Sequence, residues 1–113
     1  GDDFFTAEAV YNLLAKDKIP AQLIQLLSVK PLDKNTLLSL ASTCNYIFTF
    51  ENNAVIGGMG ARIAQLLATE PVKIINFGYP DHFIAQGKNS ELLDEIGFTP
   101  NKLHKQIVQT LNE

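Results

Sequence analysis

Three glycines in the run Gly57-Gly58-Met59-Gly60 are the residues best suited to hold a charged ligand. They follow the aromatic, β-branched run Tyr46-Ile47-Phe48-Thr49-Phe50 and the acid–amide triplet Glu51-Asn52-Asn53, and they precede a helical pattern. Glycines between a strand and a helix let backbone amides approach an anion, and the helix N-terminus adds a partial positive charge. The turn is neither a phosphate-binding Walker loop nor a full dinucleotide fingerprint, and its nearest basic residue is Arg62. Two readings follow: a tight turn that lets helix and sheet pack closely, or an anion site built on Gly57, Gly58 and Gly60. The absence of a basic residue within the turn favours packing.

Glu51 and Asn53 sit at a strand end, where α/β sheets commonly place ligands. A carboxylate beside amides binds a polar ligand or holds a loop, and Asx residues after a strand favour the loop role. In Tyr79-Pro80-Asp81-His82-Phe83, Pro80 stiffens the chain and Asp81 can accept hydrogen bonds from backbone amides. Asp81 and His82 are sequence neighbours whose side chains diverge, so an acid–base pair is not implied. Asp81 reads as a cap and His82 as a loop-surface residue. His104 is expected on a solvated flank of the last helix, and Lys102 and Lys105 beside it form a small positive patch on that face. Two histidines and one cysteine, all far apart, give no metal-ligand spacing. Cys44 falls between a helix and an apolar strand, where a buried, inert thiol is expected. A hydrolase built on Cys44 or His82 lacks a nucleophile–base–orienter set.

The elements that position these residues alternate. A helix is expected over residues 6–16, with Thr6 as N-cap and Ala9/Leu13 and Val10/Leu14 forming a stripe. Residues 22–27 read as a short strand. Pro31 disfavours helix at Lys30, and Asp33 caps a helix over 34–42. Strands over 46–50 and 72–77 flank a helix over 58–68 that places Ile63, Leu66 and Leu67 on one face. A short helix over 90–96 closes at Gly97, where a left-handed residue is wanted. Thr99-Pro100 opens a last helix carrying Leu103, Ile107, Val108 and Leu111. The order predicts an α/β fold with three layers, α/β/α, around a mostly parallel sheet. Three strands are few for a sheet covered on both faces, so either a preceding first strand or strands supplied elsewhere are expected to complete it.

Residues 1–113 are expected to form a single domain. Hydrophobic residues make up 46% and charged residues 19%, the composition of a globular domain. Nine basic against twelve acidic residues give a net charge of −3, which disfavours nucleic acid as a partner. No apolar run approaches the roughly 20 residues of a membrane span, and a lone cysteine fits a cytoplasmic setting.

Four segments, in order, resemble the C-terminal domain of the transketolase family. They are Val29-Lys30-Pro31-Leu32-Asp33, then Phe50-Glu51-Asn52-Asn53-Ala54-Val55-Ile56-Gly57-Gly58-Met59-Gly60, then Gly78-Tyr79-Pro80-Asp81-His82-Phe83-Ile84-Ala85-Gln86-Gly87, and finally Leu92-Leu93 with Gly97-Phe98-Thr99. Ala54 and the Pro-Asp-x-Phe-Ile pattern are most similar to the 1-deoxy-D-xylulose 5-phosphate synthase branch, with transketolase proper close behind. The resemblance implies one part of a longer thiamine-diphosphate-dependent transferase, acting on pyruvate and glyceraldehyde 3-phosphate in isoprenoid biosynthesis. It also implies that thiamine diphosphate and Mg²⁺ are bound by other domains, and that the full enzyme is a homodimer. The family's Gly-Asp-Gly motif with its paired asparagines is not matched, since Gly1-Asp2-Asp3 departs from it and Asn52-Asn53 lies too far along. The resemblance therefore carries over no catalytic, cofactor-binding or metal-binding residue. It implies a scaffolding and subunit-contact role, with Glu51, Asn53, Gly57, Gly58, Gly60, Asp81 and His82 as candidate interface or anion-binding positions. An independent module binding a small anion or nucleotide is the alternative of a different class.

Overall fold

Helix α1 (Asp2–Lys16) starts at Asp2 rather than after Thr6, because residues 2–6 contain no glycine or proline to stop it. The computed structural model describes residues 2–25, 33–52, 58–79 and 90–113. The buried stripe of α1 is Ala7, Val10 and Leu14, at helical spacings of three and four, while Ala9 and Leu13 are half-buried. The helix closes in a Schellman motif. Ile19 N donates to Leu14 O at 3.0 Å, Lys18 N donates to Ala15 O at 3.0 Å, and Lys18 takes the left-handed position at φ 60°.

Residues 22–25 of the predicted 22–27 strand belong to neither helix nor sheet, and residues 26 and 27 lie outside the described part. Leu23 is half-buried while Ile24 is 45% exposed, so this stretch is not covered on both faces as a central parallel strand would be.

Helix α2 (Lys34–Ala41) begins at its predicted cap. Asp33 Oδ1 accepts from Asn35 N at 2.9 Å and Thr36 N at 3.4 Å, and Asp33 Oδ2 accepts from Thr36 Oγ1 at 2.8 Å. The hydrogen bonds from the Thr36 hydroxyl and from the Thr36 and Asn35 amides favour the charged carboxylate and hold Asp33 below its ordinary pKa.

Strands β1 (Tyr46–Asn52) and β2 (Lys73–Tyr79) flank α3 (Met59–Leu66) and pair in parallel, forming a two-stranded sheet among the described residues. The register sets Ile47 beside Ile74, Phe48 beside Ile75, Thr49 beside Asn76, Phe50 beside Phe77 and Glu51 beside Gly78. Because side chains alternate, this register sends two sets to opposite faces. Phe48, Phe50 and Phe77 pack against Val10, Leu14, Phe98, Leu103 and Ile107, contributed by α1 and the C-terminal segment. Ile47 and Ile74 pack against Leu37, Ala41, Ile63, Leu67 and Val72. Helices thus cover both faces, which gives the expected three layers.

The C-terminal segment holds α4 (Ser90–Glu95) and α5 (Pro100–Leu111). Gly97, at φ 83°, closes α4 in a second Schellman motif, with Phe98 N donating to Leu93 O at 2.8 Å and Gly97 N to Asp94 O at 3.1 Å. Thr99 is the N-cap of α5 with Pro100 in its first turn, and Leu103 and Ile107 are buried.

Candidate functional site

The glycine turn meets the sheet at the C-terminal end of β1. Helix α3 starts with Gly58 as its N-cap, a residue that has no side chain to satisfy the first amides. Glu51 supplies what is missing: its Oε1 accepts from Gly60 N at 2.7 Å. A carboxylate there also complements the positive end of the helix dipole. Gly60 is buried over the polar pair Thr49–Asn76, whose Oγ1–H donates to Oδ1 at 2.6 Å. A β-carbon on Gly60 would lie 2.6 Å from Glu51 Oε1 and 2.7 Å from both Asn76 Oδ1 and Thr49 Oγ1. One on Gly58 would lie 3.2 Å from Glu51 Oε2. Both glycines therefore serve a close approach of helix to strand.

The candidate positions divide accordingly. Glu51, Gly58 and Gly60 come together at the head of α3, whereas Asn53, Gly57, Asp81 and His82 lie outside the described residues. Thr49 and Asn76 were not singled out from the sequence, although each is a polar residue interrupting an apolar strand. Once paired in register, they form one polar rung beneath the helix.

An apolar cleft of about 450 Å³ runs beside β1, lined by Val10, Leu14, Leu37, Phe48 and Ile63 and reaching Glu51 and Gly60. Its lining suits hydrocarbon, and the acidic group at its polar end repels a phosphate.

His104 departs from the expected solvated flank. Its side chain is 23% exposed, and Nε2 lies 2.6 Å from Asp17 Oδ2, joining α5 to the end of α1 across 87 positions. Lys102 is engaged as well, with Nζ 3.2 Å from Asp94 Oδ1 and donating to Asp94 O at 2.7 Å. Cys44, expected to be buried, is an exposed free thiol whose Sγ contacts Leu40 O at 3.5 Å. It occupies the turn after α2, where Ser42 and Thr43 already cap the helix end, and half-buried positions resume only at β1. The polar contacts of Cys44 and His104 go to different groups, so they form no nucleophile–base pair. Among the described residues, no group of three or more His, Cys, Asp or Glu side chains could hold a metal ion.

The sequence is 34% identical over 107 residues to the 1-deoxy-D-xylulose-5-phosphate synthase of Blochmanniella pennsylvanica, covering 93% of this chain and 17% of that protein. It is 37% identical over 95 residues to the same-named enzyme of Cronobacter sakazakii, covering 82% and 15%. A third relative of that name, from Saccharophagus degradans, is 40% identical over 85 residues, covering 74% and 13%. The chain thus spans less than a fifth of the length of the curated relatives it matches. The sequence model described as "Transketolase, C-terminal domain" matches residues 1–103. That match takes in α1 to α4, the parallel β1–α3–β2 unit and the first four residues of α5. The chain belongs to the transketolase C-terminal domain family.

Proposed function

We propose that this chain is the C-terminal structural and subunit-contact domain of a thiamine-diphosphate-dependent transferase. The enzyme is of the 1-deoxy-D-xylulose 5-phosphate synthase kind, condensing pyruvate with glyceraldehyde 3-phosphate, and the domain is not catalytic alone. The observation that carries this reading is the Glu51 carboxylate on Gly60 N. The amide that would greet a ligand's phosphate at the head of α3 already holds an anion belonging to the protein. The described residues fit neither thiamine diphosphate nor Mg²⁺. They offer no group of three or more His, Cys, Asp or Glu side chains for a metal ion, and the Gly60 amide at the head of α3 is taken by a carboxylate. The cofactor is therefore assigned to thiamine-binding domains of the same or a companion chain, in a homodimeric, cytoplasmic enzyme. No described helix is long and apolar enough to cross a membrane, which is compatible with that setting.

The test uses turnover. The purified chain with thiamine diphosphate, Mg²⁺, pyruvate and glyceraldehyde 3-phosphate is expected to release no carbon dioxide. Fused in place of the corresponding segment of the Cronobacter sakazakii relative, it is expected to support that enzyme's activity. Turnover by the chain alone, or a folded but inactive fusion, would overturn the assignment. Phosphate that raises the melting temperature of the wild-type chain, but not of Gly58→Val, would favour an independent anion-binding module instead.

A further inference from the structure

Three consecutive residues at the start of α5 reach three different parts of the molecule. Lys102 ties to Asp94 at the end of α4, Leu103 is 2% exposed in the core, and His104 reaches Asp17 at the end of α1. Successive helical residues are about 100° apart, so the three contacts point in three directions around one helix. Apolar burial through Leu103 and Ile107 attracts α5 to the core, but it is non-directional and tolerates rotation or sliding. Hydrogen bonds are directional and remove that freedom.

The acceptor at Asp17 is held in place. Asp17 N donates to Leu13 O at 3.2 Å, and the next two residues complete the Schellman closure of α1. Ile19 packs against the same core cluster as Leu103 and Ile107. An ionised carboxylate only accepts hydrogen bonds, so the imidazole donates from Nε2. The pair spans two helices that share a buried seam of Val10, Leu14, Leu103 and Ile107. His104 lies one position beyond the family match over residues 1–103.

We propose that the His104–Asp17 contact is a conformational latch: it biases α5 toward its docked position on α1, and cutting it makes α5 open more often, as a unit, while the sheet remains intact. The inference concerns the fold of this chain and stands apart from the enzyme it serves. Cooperative units within a fold open locally with free energies below that of global unfolding, so one directional contact can shift such an opening.

Amide hydrogen exchange on the 113-residue chain tests the latch. In His104→Ala and in Asp17→Ala, amides of residues 104–111 are expected to exchange about two- to five-fold faster, the range for a partly exposed pair. The double variant is expected to be no faster than either single one, because both cut the same contact. Amides of β1 and β2 are expected to keep wild-type rates. His104→Gln, which can still donate from its side-chain amide, is expected to recover most of the protection. Unchanged α5 exchange in folded single variants, equal acceleration in β1 and β2, or additive effects in the double variant would each overturn the proposal.

Discussion

A β-carbon at Gly60 would sit under 3 Å from three oxygens, two of them joined to each other and the third bound to Gly60's own amide. Relief would require Glu51, Thr49 and Asn76 to move together, or α3 to lift from the sheet. Gly60→Ala is therefore expected to cost about 1–3 kcal/mol, the range for overpacking a close contact. Gly58→Ala meets only the end of the Glu51 side chain, at 3.2 Å, and is expected to cost less. Urea denaturation of both variants, read as a shift in midpoint at constant slope, measures the difference. Equal losses would show that the contacts around Gly60 yield freely. At this scale the sequence identified Glu51, Gly58 and Gly60 as candidates. It did not tell a ligand-binding turn from a self-satisfied one, because the deciding contact joins side chain to backbone across nine positions.

The helices depend on their ends. Asp33 caps α2, and its carboxyl is held below its ordinary pKa first by the Thr36 hydroxyl and then by the Thr36 and Asn35 amides. A group whose pKa is lower in the folded than in the unfolded state binds fewer protons when folded. Its stabilisation is thus complete above the ordinary carboxylate pKa, near 4, and is lost as pH falls through the folded value. Asp33→Ala is expected to lower the melting temperature at pH 6 and to lie progressively closer to wild type as pH drops from 4 to 2. Paired thermal scans by circular dichroism across that range check the trend, and a constant gap would contradict it. The two Schellman closures contrast in legibility. Gly97 announces a left-handed residue, whereas Lys18 at φ 60° has no such signature and is held by Leu14, Ala15 and the packing of Ile19.

At the scale of the whole molecule, the described residues form two core clusters, one on each face of the β1–β2 sheet, with no residue in common. Ile107 is 1% exposed in one and Ile63 is 4% exposed in the other. Each Ile→Val change removes one buried methylene and is expected to cost about 0.5–1.5 kcal/mol. Because the clusters share no members, the double variant is expected to lose the sum, within about 0.5 kcal/mol. Denaturant titration of the two single variants and the double variant gives the comparison. A large departure from additivity would mean that the sheet transmits strain between its faces.

Local patterning determined most of the elements. Aromatic and β-branched runs gave β1 and β2, Asp33 and Thr99-Pro100 gave the starts of α2 and α5, and Gly97 gave the end of α4. These follow from backbone preferences and capping, which act within a few residues. The order of the four family segments also makes the transketolase C-terminal domain legible in the sequence itself. Tertiary structure decided the rest. It set Thr49 beside Asn76, closed the α3 head with Glu51, exposed Cys44, and joined His104 to Asp17. Each outcome depends on which distant segments meet and in what register. Propensity is silent on such contacts, because they exist only once the layers have packed.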